Sequence, residues 1–239
     1  AVVTVDGALA NNGTIMGSGG SAVIDARGGL ANGGTIDLSG GGAGDSLTIV
    51  GDVTGHGTLI IDTNITESGG SADQLVIEGA LSGTIDTSIT NINGPVTAPP
   101  QEGSGVTIIA TTEGSNAVIT LNAPFNYAPI GPWRYELAQS GGEVRLEPRF
   151  DSEGGASFAA FTPSAAGAVI APEAVLGITE MFLPHIRERQ GQSLTDSDGF
   201  QGWARVEANI GDLDGKGYSV GYHQRSGLAQ VGVGFAKPT

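Results

Sequence analysis

Carboxylates are the side chains best able to do chemistry in this chain, in which 25 Asp and Glu outnumber 10 Lys and Arg over 239 residues. A pair of carboxylates can cleave a glycosidic bond when one acts as acid and the other as base or nucleophile. The acids that recur along the first ninety residues are Asp25, Asp37, Asp52, Asp62 and Asp86. Each lies next to a predicted turn, where Asp is favoured because its side chain bonds the local backbone. The pattern therefore indicates turns at these positions and no carboxylate cleft.

Other catalytic constellations find no support in the sequence. His56, His185 and His223 fall in a predicted turn, helix and strand, far apart along the chain. Arg27 is the only base before Arg134, which leaves nothing to bind an acidic sugar or stabilise a developing anion. No G-x-S-x-G elbow can be assembled, and the lack of Cys excludes a thiolate metal site or a Cys nucleophile. We therefore predict no catalytic, cofactor-binding or metal-binding residue, and no cofactor.

One glycine cluster, residues 40–47 (GGGAGDSL), is similar to the calcium-binding nonapeptide G-G-x-G-x-D-x-U-x. Here Gly44 directly abuts Asp45, and the motif occurs once instead of in tandem. Calcium sites of that type need ligands from neighbouring turns. The sequence favours a plain turn, and a calcium-dependent module of the RTX type stays as an alternative.

These residues lie in a repeat of twenty-odd positions. Residues 8–15 return as residues 29–36, a shift of 21, and Gly-Thr-aliphatic triplets recur at Gly57 and Gly83. Units this small are stable only when they stack, so the repeat predicts a right-handed parallel β-helix whose coils lengthen along the chain. One ladder of side chains is expected to face inward, formed by Ile15, Ile36, Leu59 and Ile85.

Composition agrees with an all-β chain that has many turns. Gly accounts for 41 residues without recurring at every third position, which excludes collagen, and 39% hydrophobic residues exclude wholesale disorder. The net charge of −15 repels phosphate backbones, so we expect no nucleic-acid partner. The sequence has no run of 18 apolar residues, so it predicts no transmembrane helix. The chain begins without Met or a leader, and we interpret it as a fragment or processed piece.

A family resemblance becomes specific from Gly44 onward. The segments that carry it are residues 44–49, 51–55, 57–63, 71–79, 83–84, 105–109, 123–127 and 133–137. Together they resemble the C-terminal end of autotransporter passenger domains, the pertactin-like β-helix cap often called the autochaperone region. Val144-Arg145-Leu146 departs from the family, which usually has a Trp-Tyr-Leu-type strand there.

Aromatic residues are absent before residue 125 and then cluster as Phe125, Tyr127, Trp133 and Tyr135. An open solenoid end would expose its core and an unpaired strand edge, so large side chains folded over the last coil would close it. The alternative is a platform on which a carbohydrate ring stacks. Position and sudden onset favour the cap.

The last third of the chain changes character. Residues 150–171 are small and of low complexity, which predicts a flexible linker, and residues 172–192 predict a helix kinked at Pro184. Residues 199–239 alternate apolar and polar side chains, as transmembrane β-strands do. Residues 186–191 and 202–205 resemble the start of the autotransporter translocator barrel. The resemblance implies a pore helix and the first two strands of an outer-membrane β-barrel, too few to close a pore.

The sequence thus predicts β-helix coils over 1–44, the pertactin-like cap over 45–149, then linker, pore helix and incomplete barrel. The resemblance implies a structural stalk and autochaperone that promotes folding and export of a surface passenger of the adhesin or virulence type. Its expected partners are outer-membrane lipid, the barrel-assembly machinery and, through the missing passenger, a host surface or matrix. The expected location is the outer membrane or surface of a Gram-negative bacterium. We predict no enzymatic activity; the alternative is a β-helix carbohydrate-active enzyme similar to polysaccharide lyases.

Overall fold

The computed structural model describes residues 1–122, 126–153, 156–168, 199–213 and 222–236. The chain divides into two units, Ala1–Thr162 and Pro163–Thr239. The first unit carries the repeats, and the second carries a pair of long strands.

Within residues 1–122, successive coils contribute strands to three parallel sheets. The strands of the first two coils are β1 (Val2–Thr4), β2 (Leu9–Asn11), β3 (Thr14–Met16), β4 (Ser21–Asp25), β5 (Leu30–Asn32) and β6 (Thr35–Asp37). Those of the later coils are β7 (Ser46–Val50), β8 (Val53–Thr54), β9 (His56–Thr66), β10 (Gly69–Ala72), β11 (Gln74–Glu78), β12 (Thr84–Asn91), β13 (Val106–Thr111) and β14 (Val118–Leu121).

The sheets run along the stack in the orders β1-β4-β7-β11-β13, β2-β5-β8 and β14-β12-β9-β6-β3. Single bridges from Val53 to Leu81 and from Leu81 to Ser115 carry the second sheet through the last two coils. This arrangement is a parallel β-helix, as the repeat predicts.

Coil length grows along the chain. One outward ladder is formed by five residues, each of which pairs with the next: Val2, Val23, Thr48, Val76 and Ala110. Successive coils therefore advance by 21, 25, 28 and 34 residues. The third coil gains length in an antiparallel hairpin, where β10 folds back on the end of β9. The predicted lengthening of turns on the stack is confirmed.

The predicted inner ladder is confirmed over three coils and wrong in register at the fourth. Ile15 pairs with Ile36, and Ile36 with Leu59, but the partner of Leu59 in β12 is Thr87. Ile85 instead faces Gly57. Because side chains alternate with a period of two, a shift of two residues leaves Ile85 on the inner face, where it is buried.

The physical reason for this register lies at the corner before β12. Gly83 and Gly55 both have positive φ, at 103° and 115°, and Gly55 accepts a hydrogen bond from the amide of Thr84. The corner therefore stacks Gly83 on Gly55. The Gly of the third triplet, Gly57, is two residues further along.

A polar ladder within the stack was not predicted from the sequence. The amide group of Asn11 donates to Oδ1 of Asn32 at 2.7 Å and to the carbonyl of Thr35 at 3.1 Å, and both Asn side chains are buried. The signal was present, since these residues occupy matching places in the 21-residue repeat. Buried amides paired in this way satisfy groups that would otherwise destabilise the core.

An antiparallel cap follows the last coil. Strands β15 (Ala128–Ile130), β16 (Trp133–Ser140) and β17 (Glu143–Pro148) form a meander, and β17 pairs antiparallel with β13. The first sheet thus continues past the coils with a change of strand direction, and its edge at β13 is paired.

The linker predicted over 150–171 needs correction in its first part. Strands β18 (Phe150–Glu153) and β19 (Ala156–Ala159) form a hairpin, and Ala159 and Ala160 are buried within the first unit. Residues 150–162 therefore belong to the folded unit that ends at Thr162. The small side chains of Ala159 and Ala160, which indicated flexibility in the sequence, are buried.

In the second unit, residues 163–168 are helical. The predicted pore helix at 172–192 lies outside the described residues. After it, β20 (Gly199–Leu213) and β21 (Tyr222–Ala236) pair antiparallel along their whole length, where the sequence predicts two strands.

Across the residues that the structure describes, no helix has both the length and the apolar character needed to cross a membrane.

Candidate functional site at the capped end of the β-helix

Buried carboxylates connect neighbouring coils at one corner of the stack. Asp45 accepts hydrogen bonds from the backbone amides of Gly19 at 2.6 Å and Gly20 at 2.7 Å, one to each oxygen. Asp62 accepts from the amide of Gly40 at 3.0 Å. Both carboxylates are only 7% exposed. Each holds a glycine turn of the preceding coil in place.

Asp73 lies at the centre of this network and is fully buried. Its Oδ1 accepts from the amides of Gly44 and Asp45, both at 2.9 Å, and its Oδ2 accepts from the amide of Asp62 at 2.7 Å. Burial raises the pKa of Asp73 above its ordinary 3.8, the three amide hydrogen bonds oppose the rise, and the nearby charge of Asp45 adds to it. The side chain of Asp73, at the junction of β10 and β11, thereby connects the turn before β7 with β9.

These contacts bear on whether the glycine cluster before Asp45 is a plain turn or a calcium site. Residues 40–44 form bends and a turn, as predicted. Backbone amides donate hydrogen bonds to the carboxylate oxygens of Asp45 and Asp73, in the place where a calcium ion would otherwise bind. Among the described residues, no group of three His, Cys, Asp or Glu side chains is arranged to hold a metal ion.

The remaining predicted turn acids divide into two kinds. Asp37 accepts from the amide of Ser39, two residues on, at 3.0 Å, which confirms local turn chemistry. Asp52 instead accepts from the amide of Ala80 in the next coil at 2.9 Å. The prediction is wrong for Asp62 and Asp86, because they lie inside β9 and β12, and Asp86 pairs across the sheet with the hydroxyl of Thr120.

Asp25 ends β4 and forms an exposed ion pair with Arg27 at 3.1 Å. His56 is the first residue of β9 and is exposed beside a shallow polar groove on the outer face of the third sheet. His185 lies outside the described residues, and His223 lies in β21. His56 and His223 belong to different units.

Aromatic side chains of the cap are buried. Trp133 is 3% exposed and Tyr135 is 0% exposed, and the ring of Trp133 stacks on Phe161 with centroids 4.8 Å apart. Tyr127 is also buried, while Phe125 lies outside the described residues. Rings buried to this extent offer no open face to a sugar. The predicted cap is therefore confirmed for Tyr127, Trp133 and Tyr135, and these three do not form the alternative carbohydrate platform.

The outer face of the cap carries a row of ion pairs. Arg134 contacts Glu136 at 2.8 Å, and Arg149 contacts Glu136 at 3.6 Å and Asp151 at 3.3 Å. The guanidinium of Arg134 also lies over the ring of Tyr127, 4.9 Å from its centroid. Partly exposed pairs of this kind contribute about 0–1 kcal/mol each, so the buried rings contribute more to the stability of the cap.

Tyr135 leads to a prediction with a pH readout. Its hydroxyl is buried with no hydrogen-bond partner among the described residues, and burial raises its pKa to about 12 from 10.0. Tyr135→Phe is expected to raise the free energy of unfolding by about 1 kcal/mol, because an unpaired buried hydroxyl is removed. Urea denaturation at neutral pH measures this change, and a loss of stability would show that the hydroxyl has a partner.

The pH dependence of the same variant provides the control. With the folded pKa above the unfolded one, the native state binds the phenolic proton more tightly, so stability falls as pH rises from 10.0 to about 12. Tyr135→Phe should show a smaller fall over that window than the unmodified chain. Equal slopes in the two proteins would contradict the assignment.

A parallel β-helix of lengthening coils, closed by an antiparallel cap, defines this chain as a capped solenoid protein. The family model described as Pertactin matches residues 30–147. A probable autotransporter of Escherichia coli (strain K12), YfaL, is 33% identical over 107 residues, which are 44% of this chain and 8% of that protein. The matched stretch thus spans less than a tenth of the relative's length. Residues 30–147 are similar to the Pertactin family, and the stretch shared with YfaL is similar to part of an autotransporter.

Proposed function

We propose that this chain is the C-terminal stalk of a bacterial autotransporter passenger, and that its cap acts as an autochaperone for the β-helix. The pairing of β17 with β13 is the observation that carries the proposal, because it joins a local antiparallel meander to the last parallel coil. The cap is both a lid on the solenoid and a strand edge on which the coils can form.

The separation in sequence between paired residues indicates that the cap folds before the coils. The meander pairs residues close in sequence, such as Tyr135 with Pro148 and Ala128 with Tyr135. Neighbouring coils pair residues 21 to 34 positions apart. Short loops close at a lower entropic cost than long ones, so the meander forms first and offers its edge to β13. Each completed coil then presents an edge to the coil before it.

The same order gives a direction to export. A passenger whose C-terminal end folds first on the cell surface would draw the rest of the chain outward, since folded coils cannot slip back through a narrow pore. In this proposal β20 and β21 begin an outer-membrane barrel, and lipid and the barrel-assembly machinery are its partners. The passenger lies at the surface of a Gram-negative bacterium, where adhesion is the activity we propose for its upstream part. Asp45 and Asp73, whose carboxylates accept hydrogen bonds from backbone amides at a coil corner, support a structural role over a catalytic one.

Deletion of residues 105–149 from the full-length autotransporter tests the proposal. We expect roughly a tenfold loss of protease-resistant passenger at the cell surface, because the coils lose the edge on which they form. The matched control removes residues 2–22, one coil of 21 positions, which preserves the ladder on either side. Normal folding and export after loss of 105–149 would refute the autochaperone role.

A further inference from the structure

We propose that Arg145 is a positioning residue that sets the register of the cap on the last coil, through its guanidinium on the β-bulge where β17 meets β13. The inference rests on the proposed function, because register is what the cap would pass to the coils. It assigns that task to one side chain.

The guanidinium of Arg145 binds both strands at the bulge. Nη1 donates to the hydroxyl of Thr107 at 3.1 Å, and Nη2 donates to the carbonyl of Gly105 at 2.8 Å. Nε donates to Glu147 in its own strand at 3.0 Å. These three bonds use the planar fork of arginine, which a lysine ammonium cannot reproduce.

The apolar residues of β13 alone do not fix the register at this junction. Thr107 pairs with Arg145 and Ile109 with Val144, so the strand carries an extra residue, Ile108, between the two pairs. Ile108 and Ile109 are both 0% exposed, and either could face the core. A slip of one residue would turn every later side chain to the other face. The apolar pattern of β13 therefore does not select the observed pairing.

Arg145 distinguishes the observed register of β17 on β13 from a slipped one, which Ile108 and Ile109 do not. Its contacts with Thr107 and Gly105 exist only when those residues lie opposite β17 in the observed register. Gly105 also allows the close approach, since a Cβ there would lie 2.8 Å from the carbonyl of Leu146. In a slipped register the guanidinium would lose both bonds to β13.

The contribution of Arg145 is expected in the folding rate and not in the unfolding rate. The side chain of Arg145 is 34% exposed and that of Glu147 is 41% exposed, so their ion pair contributes little to stability, and the bonds to Thr107 and Gly105 carry the effect. Interactions formed in the folding nucleus change the folding rate and leave the unfolding rate nearly unchanged. A side chain that selects the register of the nucleus should behave in this way.

Folding kinetics of the full chain test the proposal. Arg145→Gln is expected to slow refolding about tenfold while the unfolding rate changes less than about twofold, and Arg145→Lys should recover part of the rate. Arg149→Gln is the matched control, because Arg149 lies on the same cap and pairs with Glu136 and Asp151. Refolding of Arg145→Gln at the unmodified rate would overturn the assignment.

A disulfide reports the register itself, and the chain has no Cys to interfere. Ala110 and Glu143 are paired in the observed register, so Ala110→Cys with Glu143→Cys should cross-link on oxidation. Adding Arg145→Gln should lower the yield of this disulfide by more than about half. An unchanged yield would overturn the proposal even if Arg145→Gln destabilises the chain.

Val144→Ala separates failure of this inference from failure of the proposed function. Val144 is fully buried in the cap, so its truncation should slow refolding if the cap nucleates the coils. If Val144→Ala slows refolding and Arg145→Gln does not, the register role falls and the autochaperone stands. If Val144→Ala only speeds unfolding, nucleation by the cap falls as well.

Discussion

Asp73→Ala is expected to lower the free energy of unfolding by about 3–5 kcal/mol, one of the two largest effects we predict for a single residue. The substitution leaves the amides of Gly44, Asp45 and Asp62 without the acceptor that they share. A buried donor left unsatisfied costs about 1–3 kcal/mol. Because Asp73 is fully buried, water cannot readily replace the lost carboxylate.

Urea denaturation of the full chain, followed by far-ultraviolet circular dichroism, measures the effect. Asp52→Ala is the matched control, because Asp52 also accepts an amide of the next coil, at 2.9 Å, but is exposed. We expect this variant to lose less than about 1 kcal/mol, since water satisfies the freed amide. Equal losses in the two variants would show that burial of the network does not set its contribution.

Asp73→Asn is expected to have an intermediate effect on stability. It keeps one acceptor oxygen and removes the buried charge, but its amide group would oppose a backbone donor at the other position. The expected loss lies between those of the unmodified chain and Asp73→Ala. A loss in Asp73→Asn greater than in Asp73→Ala would indicate that the donor clash, and not the orphaned amides, dominates.

The fold was predictable where local chemistry repeats. The Gly-Thr-aliphatic triplets alternate inward and outward side chains between turn residues, so both the strands and their stacking could be predicted over the first coils. Clustered aromatics likewise indicated the cap, because large apolar side chains late in a solenoid have few places to be buried. These features can be recognised from short segments and from the repetition of those segments along the chain.

Burial of individual polar residues could not be predicted in this way. Asp73 and Asp52 are the same residue type beside similar turns, yet one is enclosed and the other exposed. The difference arises from the hairpin of β9 and β10, whose pairing of Ala72 with Thr63 places Asp73 inside the corner. That contact depends on coil length, which the triplets do not encode.

Composition misled the prediction at the end of the first unit. Ala159 and Ala160 read as linker residues because small side chains are common in flexible segments. In the structure they are small because they are buried, beside the stacked rings of Trp133 and Phe161. A segment of small residues is compatible with a flexible linker and with a closely packed strand, and the sequence of the segment does not show whether a surface is present for it to pack on.

Gly83→Ala is expected to lower the free energy of unfolding by about 3–4 kcal/mol, from two separate causes. Gly83 has a φ of 103°, and an L side chain in that region costs roughly 1–2 kcal/mol. Its added Cβ would also overlap the carbonyl oxygen of Gly55 in the preceding coil. Forcing extra volume into a packed site costs about 1–3 kcal/mol more, and here the obstacle is backbone, which cannot rotate away.

Gly114→Ala separates these two causes. Gly114 also has a positive φ, at 90°, but nothing lies within 4 Å of the position its Cβ would take. We expect it to lose only the conformational part, about 1–2 kcal/mol, in the same urea denaturation experiment. The difference between the two losses in free energy of unfolding then measures the cost of the overlap between the added Cβ at position 83 and Gly55. If both lose the same amount, Gly83 does not stack on Gly55, and the register of β12 on β9 would have to return to the one that the triplets predict.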